Sequence, residues 1–403
     1  LHPWNRALLP DAGSILARAC AGAELLLIEA DQGLYDHYPE SFDIHRTVDL
    51  LTELETPVVL VIDAGNLNES ITAIVKGAIH FDSRSAVCGV VLFNSSSEEC
   101  RVRQERAQIR FEEETGIVCL GVIPASDVTV VDFSAPDGVN RTRVINSVEL
   151  VERFIDLDRL HSIARSAPGF VVSRESLSTK SKVCRIGVTD DAAFNTMFQE
   201  NLDLLRREGA ELVPFSLLSD AKLPQDVRGL YLATGPVERF GAKLQENQAM
   251  RDEIRTFAQS GGAIYAEGGS LVYLGKDLTV ASGKTWQMAG VIPLHSSFVE
   301  RFQESAAKPV ECRVVIRNRF VPEGMRIRGF QFERFALRLE TALPVSVEGY
   351  SLEQVIGGPE YLREHPPTAG AIVPREKVFG SQFLLNWLTY PRLAENFIAA
   401  ARS

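Results

Sequence analysis

Over the first third of the chain, apolar runs of strand length alternate with amphipathic stretches. Glu24–Glu29, Pro57–Asp63, Ala86–Phe93 and Ile117–Ile123 are apolar at consecutive positions, the pattern of strands buried on both faces. Ile44–Leu54 and Ile71–His80 fit between them as crossover helices. Together they predict a parallel, doubly wound sheet. The pattern loosens after Ser126, and the stretch Ser162–Ser181 is rich in Ser with few apolar runs. The expected organisation is a domain over 1–165, a linker over 166–182 and a second domain over 183–403.

The second domain repeats the α/β pattern: strands at Cys184–Val188, Glu211–Phe215 and Gly229–Leu232, and helices near Glu200–Glu208 and Asn247–Gln259. The remainder, with Val310–Ile316, Met325–Phe332 and Leu337–Val347, reads as β-rich, and a helix is expected at Pro391–Ala401. Between them Tyr265-Ala266-Glu267-Gly268-Gly269-Ser270-Leu271 reads as a strand running into a sharp strand-to-helix turn. Such an elbow places one residue in a strained backbone conformation with its side chain in a cleft, near N–H groups able to hold an oxyanion. Here the tip is Gly268, which suits that backbone but carries no thiol or hydroxyl. Ordinary turns at Gly261-Gly262 and Gly268-Gly269 around a buried strand are the simpler reading.

With 403 residues and 45% hydrophobic content, the chain can bury cores for two or three domains. A net charge of −11 argues against a nucleic-acid partner, and no basic stripe is present. Runs such as Val58–Ile62 and Leu25–Ile28 fall far short of the roughly 20 residues that span a bilayer. Cys20, Cys88, Cys100, Cys119, Cys184 and Cys312 lack metal or disulfide-framework spacing, which points to a reducing compartment. A soluble intracellular protein of cytoplasm, organelle matrix or stroma is expected. The histidines, His2, His37, His45, His80, His161, His295 and His365, show no metal-like spacing.

Several segments, in order, carry a resemblance: Gly33-Leu34-Tyr35-Asp36 after Glu29, Thr56-Pro57-Val58-Val59-Leu60-Val61-Ile62-Asp63-Ala64, and Asp191-Ala192-Ala193-Phe194-Asn195 followed by Glu200-Asn201. Gly229-Leu230-Tyr231-Leu232, Ile264-Tyr265-Ala266-Glu267 and Gly380-Ser381 continue it. The chain resembles the cobyrinate a,c-diamide synthase family, in which a dethiobiotin-synthetase-like ATP domain precedes a class I glutamine amidotransferase domain. The resemblance implies two doubly wound α/β domains, the first P-loop-NTPase-like and the second amidotransferase-like.

The departures fall on the chemistry. In the family the elbow residue is the cysteine that attacks the glutamine amide, and here it is Gly268. The family's Gly-Ser-Tyr and His-Leu-His stretch supplies the base, but this chain reads Gly380-Ser381-Gln382-Phe383-Leu384-Leu385-Asn386, with Leu384 and Asn386 at the histidine positions. A thiolate pathway needs both groups, so the resemblance implies loss of glutaminase chemistry. The family's glycine-rich oxyanion loop appears as Ala233-Thr234-Gly235-Pro236-Val237-Glu238. Pro236 lacks an N–H there, and the side chains at 233 and 234 crowd a substrate. An Ala-Arg-Asp…Phe-Tyr-Tyr pattern becomes Thr189-Asp190-Asp191…Thr196-Met197-Phe198, and a Gly-His-Glu-Phe-His motif becomes Gly329-Phe330-Gln331-Phe332-Glu333.

No phosphate-cradling Gly-x-x-x-x-Gly-Lys-Ser/Thr loop is found; Gly283-Lys284-Thr285 lacks the upstream glycine and lies in the other domain. In the family this loop precedes the segment matching Leu1-His2-Pro3-Trp4, so loss and a position upstream of Leu1 are both open. Glu29, Asp36 and Asp63 match nucleotide-facing and Mg2+-facing acids of the family, and can equally be solvated loop acids or helix caps.

The expectation is a pseudoenzyme without cofactor, a structural or interaction subunit joined to other protein subunits as a homo- or hetero-oligomer. Peripheral association with a membrane complex is compatible with this. The alternatives are ATP- and Mg2+-dependent amidation of a tetrapyrrole-like carboxylate with free or partner-supplied ammonia, and a tetrapyrrole-binding or regulatory module.

Overall fold

The computed structural model describes residues 16, 22–30, 33–36, 47–65, 67–95, 108–124, 141–169, 181–298, 308–314, 319–331, 335–340, 345–351, 368–375 and 377–403. The Leu1–Trp4 segment, 170–180 of the expected linker, His37, His45, His365, Phe332 and Glu333 lie outside these residues. Two units divide the chain: 1–133 with 139–174, and 134–138 with 175–403.

The first unit contains α1 (Thr47–Glu53), β1 (Val58–Asp63), α2 (Ser70–His80), β2 (Val87–Ser95), β3 (Val118–Pro124), α3 (Arg141–Phe154) and α4 (Leu157–Arg165). Its three strands pair in parallel in the order β1-β2-β3. Ile62, Ala64, Ile71, Val75, Val90, Leu92 and Phe111 form its core. Asp156 starts α4 by accepting the N–H of Arg159 at 2.9 Å, a side-chain N-cap.

One expected strand is corrected. Glu24–Glu29 has no strand pairing, although Leu26 and Ile28 pack toward Leu16, Leu50 and Leu54 while Leu25 and Leu27 face outward. The run has the alternation of a strand, but a strand is completed only by a hydrogen-bonded neighbour, and none of the described residues supplies one. Among the described residues the exposed large apolar side chains all lie in this unit: Leu25, Leu27, Val61, Ile74, Phe81, Ile109, Val148, Val151 and Leu157.

The second unit opens with β4 (Cys184–Thr189), α5 (Gln199–Arg207), β5 (Ala210–Phe215), β6 (Val227–Leu232), α6 (Val237–Glu246), α7 (Gln248–Gln259), β7 (Ala263–Glu267) and α8 (Gly269–Leu274). Then come β8 (Asp277–Thr279), β9 (Thr285–Gln287), β10 (Leu294–Phe298), β11 (Lys308–Val314), β12 (Arg326–Gln331), β13 (Phe335–Leu339) and β14 (Val345–Ser351). The chain finishes with β15 (Thr368–Arg375), β16 (Val378–Ser381), β17 (Phe383–Leu385) and α9 (Arg392–Arg402).

Ten strands form one sheet in the order β17-β12-β11-β14-β15-β16-β7-β6-β4-β5. Its half from β16 to β5 is parallel, and the other half is antiparallel. A second sheet has the order β13-β10-β8-β9. The single strand expected over Leu337–Val347 is therefore two: β13 ends at Leu339 in the small sheet and β14 begins at Val345 in the large one. The run contains Pro344, which cannot donate to a strand ladder.

One face of the parallel half is packed by α5 and α9, through Leu202, Leu204, Leu205, Phe397 and Ile398; the other is packed by α6, α7 and α8, through Phe240, Leu244, Ile254 and Leu271. Burial on both faces explains why β6 and β7 read as unbroken apolar runs. Each unit is thus an α/β layer structure with parallel strands, as the sequence pattern predicts.

Candidate functional site: a closed elbow

β7 runs through the fully buried Ala263–Glu267 and turns at Gly268, where φ is 51° and ψ is −112°. An L-residue with a side chain is strained in this backbone, so the turn keeps the shape of a nucleophile elbow while carrying the one residue that adopts it freely. The turn is held from both sides. Gly268 donates its N–H to the carbonyl of Ser381 on β16 at 2.7 Å, and Leu271 returns an N–H to the Gly268 carbonyl at 3.0 Å.

Thr234, from the loop between β6 and α6, lies over the tip. A Cβ added to Gly268 would stand 2.9 Å from Thr234 Cβ and closer still to its Oγ1. That hydroxyl accepts the N–H of Gly269 at 2.9 Å. The N–H following the elbow residue is the donor such turns offer to an oxyanion, and here the chain's own threonine takes it. Thr234 is itself fixed by reciprocal backbone bonds with Thr196, at 2.9 and 3.1 Å. Gly235 beside it is required by close approach, because a Cβ there would lie 2.8 Å from the Ala193 carbonyl carbon and closer to its oxygen. Ser270 Oγ donates to the Ala233 carbonyl, closing the loop onto the first turn of α8.

The positions expected to lack a base lie in and just after β17. Leu384 is buried and apolar. Asn386 is also buried; its Oδ1 accepts the N–H of Leu388 at 3.0 Å and starts the short 3-10 turn Trp387–Thr389, while its Nδ2 has no hydrogen-bond partner among the described residues. Neither side chain takes a proton in the physiological range. Asp191 organises a loop: Oδ1 accepts the N–H groups of Ala193 and Phe194, and Oδ2 accepts those of Leu217 and Leu218 and the Ser216 hydroxyl.

Directly before the tip, the Glu267 side chain is fully buried. Its Oε1 accepts from Tyr265 Oη at 2.6 Å and Leu385 N at 2.9 Å, and its Oε2 accepts from Tyr231 Oη at 3.0 Å. Asn201 on α5 extends the network, donating Nδ2 to Tyr231 Oη at 3.1 Å and to the Leu385 carbonyl at 2.9 Å, while its Oδ1 accepts Trp387 N at 2.9 Å. Burial pushes the Glu267 carboxyl up to about 7, against the pull of its three donors. Burial, reinforced by the Glu267 charge, also raises both tyrosines. Sequence reading gave these residues no role; the available signal was polar side chains, Asn201 and Glu267, on otherwise apolar helix and strand faces.

In the first unit, Glu29, Asp36 and Asp63 are all exposed. Asp63, at the end of β1, accepts the N–H of Gly65 at 3.0 Å through Oδ1. Asp36 closes a turn, donating its N–H to the Gly33 carbonyl at 3.2 Å. Among the described residues no three His, Cys, Asp or Glu side chains converge so as to hold a metal ion, so these three acids form no cation cradle.

No described helix is long and apolar enough to cross a membrane. A family model described as the CobB/CobQ-like glutamine amidotransferase domain matches residues 185–349. The chain is 32% identical to the cobyrinate a,c-diamide synthase of Picrophilus torridus over 287 residues, 69% of this chain and 64% of that one. It is 29% identical to that of Leptospira interrogans over 388 residues, 94% of this chain and 82% of that one. It is 34% identical to that of Archaeoglobus fulgidus over 290 residues, 70% of this chain and 62% of that one. The chain thus spans less than two thirds of the Picrophilus and Archaeoglobus relatives. A solved glutamine amidotransferase overlies 54% of the chain at 17% identity with a TM-score of 0.37. On the strength of the sequence matches, the chain belongs to the cobyrinate a,c-diamide synthase family.

Proposed function

We propose that this chain is a non-catalytic member of its family, an amidotransferase-like scaffold that works as a structural or interaction subunit of a larger assembly. The observation that carries the reading is the Thr234 side chain, which fills the space at the elbow tip and takes the Gly269 N–H. Glutamine hydrolysis by the thiolate route needs a nucleophile, a base and a free oxyanion donor. Gly268 lacks the first, Leu384 and Asn386 lack the second, and Thr234 occupies the third.

The test is glutamate release from glutamine by the purified chain, combined with native mass spectrometry of the protein isolated from its source. The expected result is no release above the buffer control and co-purification in defined stoichiometry with other chains. Glutamine-dependent glutamate release would overturn the reading. A second reading is favoured by the names of the relatives: ATP-dependent amidation of a tetrapyrrole-like carboxylate using free or partner-supplied ammonia. It requires nucleotide near Glu29, Asp36 and Asp63, so saturable ATP–Mg2+ binding lost in Asp63→Asn would support it.

A further inference from the structure

We propose that Gly268 and Thr234 are a coupled pair: the threonine stands in the space of a side chain at residue 268 and replaces the ligand of the elbow's oxyanion donor, so the site is closed by its own chain. This deepens the non-catalytic reading and rests on it.

The geometry leaves little freedom. The clash with a Cβ at 268 involves Thr234 Cβ, at 2.9 Å, as well as the hydroxyl. Turning the threonine to another rotamer would move Oγ1 but leave Cβ where it is. Backbone retreat is opposed by the reciprocal bonds to Thr196 and by the contact of Gly235 with Ala193. A side chain at 268 is therefore incompatible with any residue but glycine at 234, unless the loop moves.

The converse also holds. Gly269 N–H is buried, and a buried donor without an acceptor is costly. The Thr234 hydroxyl satisfies this N–H at 2.9 Å. Each residue compensates for the other, and the pair accounts for an elbow that has the backbone of a nucleophile turn without its chemistry. Gly268 is only partly buried, so a thiol introduced there in the absence of the threonine would be reachable from solvent.

The experiment uses the full chain carrying Gly268→Cys, Thr234→Gly, Thr234→Ala/Gly268→Cys or Thr234→Gly/Gly268→Cys. Iodoacetamide alkylation at position 268 is followed by peptide mass spectrometry, with Cys88 and Cys184 as internal references. In that reaction the thiolate sulfur attacks the methylene carbon, the C–S bond forms as C–I breaks, iodide leaves and the thiol proton passes to solvent. Alkylation at 268 is expected to be about ten-fold faster with Thr234→Gly than in Gly268→Cys alone, within the range by which contacting residues couple. The Thr234→Ala combination should fall between them, because it keeps the Cβ.

Equal rates in Gly268→Cys and in the double variant, with an unchanged unfolding midpoint, would overturn the proposal. Should the cysteine variants fail to fold, Thr234→Gly alone decides it: amide exchange at Gly269 is expected to accelerate, and unchanged protection would refute the hydroxyl's role. Glutamate release by the unaltered chain would sink the non-catalytic reading instead, so the two failures are distinguishable.

Discussion

The carboxyl group immediately before the elbow should leave a pH signature on stability. Glu267 rises from an ordinary value of 4.5 to about 7 in the folded protein, chiefly because burial disfavours its charge. Between those values the folded chain holds a proton that the unfolded chain has released. Stability from this group is then fully present below about pH 4.5, declines as pH rises, and is lost above about pH 7. At 1.36 kcal/mol per pH unit the shift corresponds to about 3 kcal/mol. Glu267→Gln removes the titration while preserving the shape of the network. Its Oε1 can keep the bonds from Tyr265 and Leu385, and its amide can donate to Tyr231 Oη, which already accepts from Asn201. Unfolding free energies of both proteins from urea titrations between pH 4.5 and 8.5 provide the assay. Tryptophan fluorescence is a suitable probe, because Trp387 lies 4.8 Å from the Tyr265 ring, centroid to centroid. The wild type should lose about 3 kcal/mol relative to Glu267→Gln across that window. A difference that stays constant with pH, or that grows in favour of the wild type as pH rises, would refute the reasoning.

Three further outcomes follow from the same geometry. Asn201→Ala withdraws a donor and an acceptor from Tyr231, Leu385 and Trp387, and should cost about 2–4 kcal/mol in urea unfolding because buried groups are left unpaired; a loss under about 1 kcal/mol would show that the network is not a unit. Asp191→Ala strips the acceptor from four backbone N–H groups and should lower stability by about 1–3 kcal/mol, with faster amide exchange at Ala193 and Leu217 as the local readout. Gly235→Ala drives a methyl into the Ala193 carbonyl and should cost about 1–3 kcal/mol; wild-type thermal stability would show that the loop yields more easily than its bonds suggest.

What could be read from the sequence follows the range of the interactions. Strands β1 to β7 announce themselves because each is a local apolar run, and Gly268 stands out because one residue sets the chemistry of an elbow. Thr234 was half legible: its crowding of the loop follows from the loss of glycine, but its bond to Gly269 depends on how two segments meet. Glu24–Glu29 misled because a consecutive apolar run records only that a segment is apolar, whereas strand structure needs a hydrogen-bonded neighbour. The Glu267 network was hidden for a related reason. Asn201 meets Trp387 across 186 positions, and no local pattern encodes that meeting. The acids Glu29, Asp36 and Asp63 were visible as residues, but their arrangement was not.

The position of β16 bears on how the chain is made. In the finished sheet it lies between β15 and β7, yet it is one of the last strands to be synthesised. During translation β7 has β6 on one side and nothing on the other until Val378–Ser381 emerges. The bond from Leu385 to Glu267 closes across 118 positions, so the elbow is assembled late, by contacts of high sequence separation that slow folding. A ribosome-bound intermediate would therefore display the apolar edge of β7, and chains stalled before Val378 would be natural clients of a chaperone.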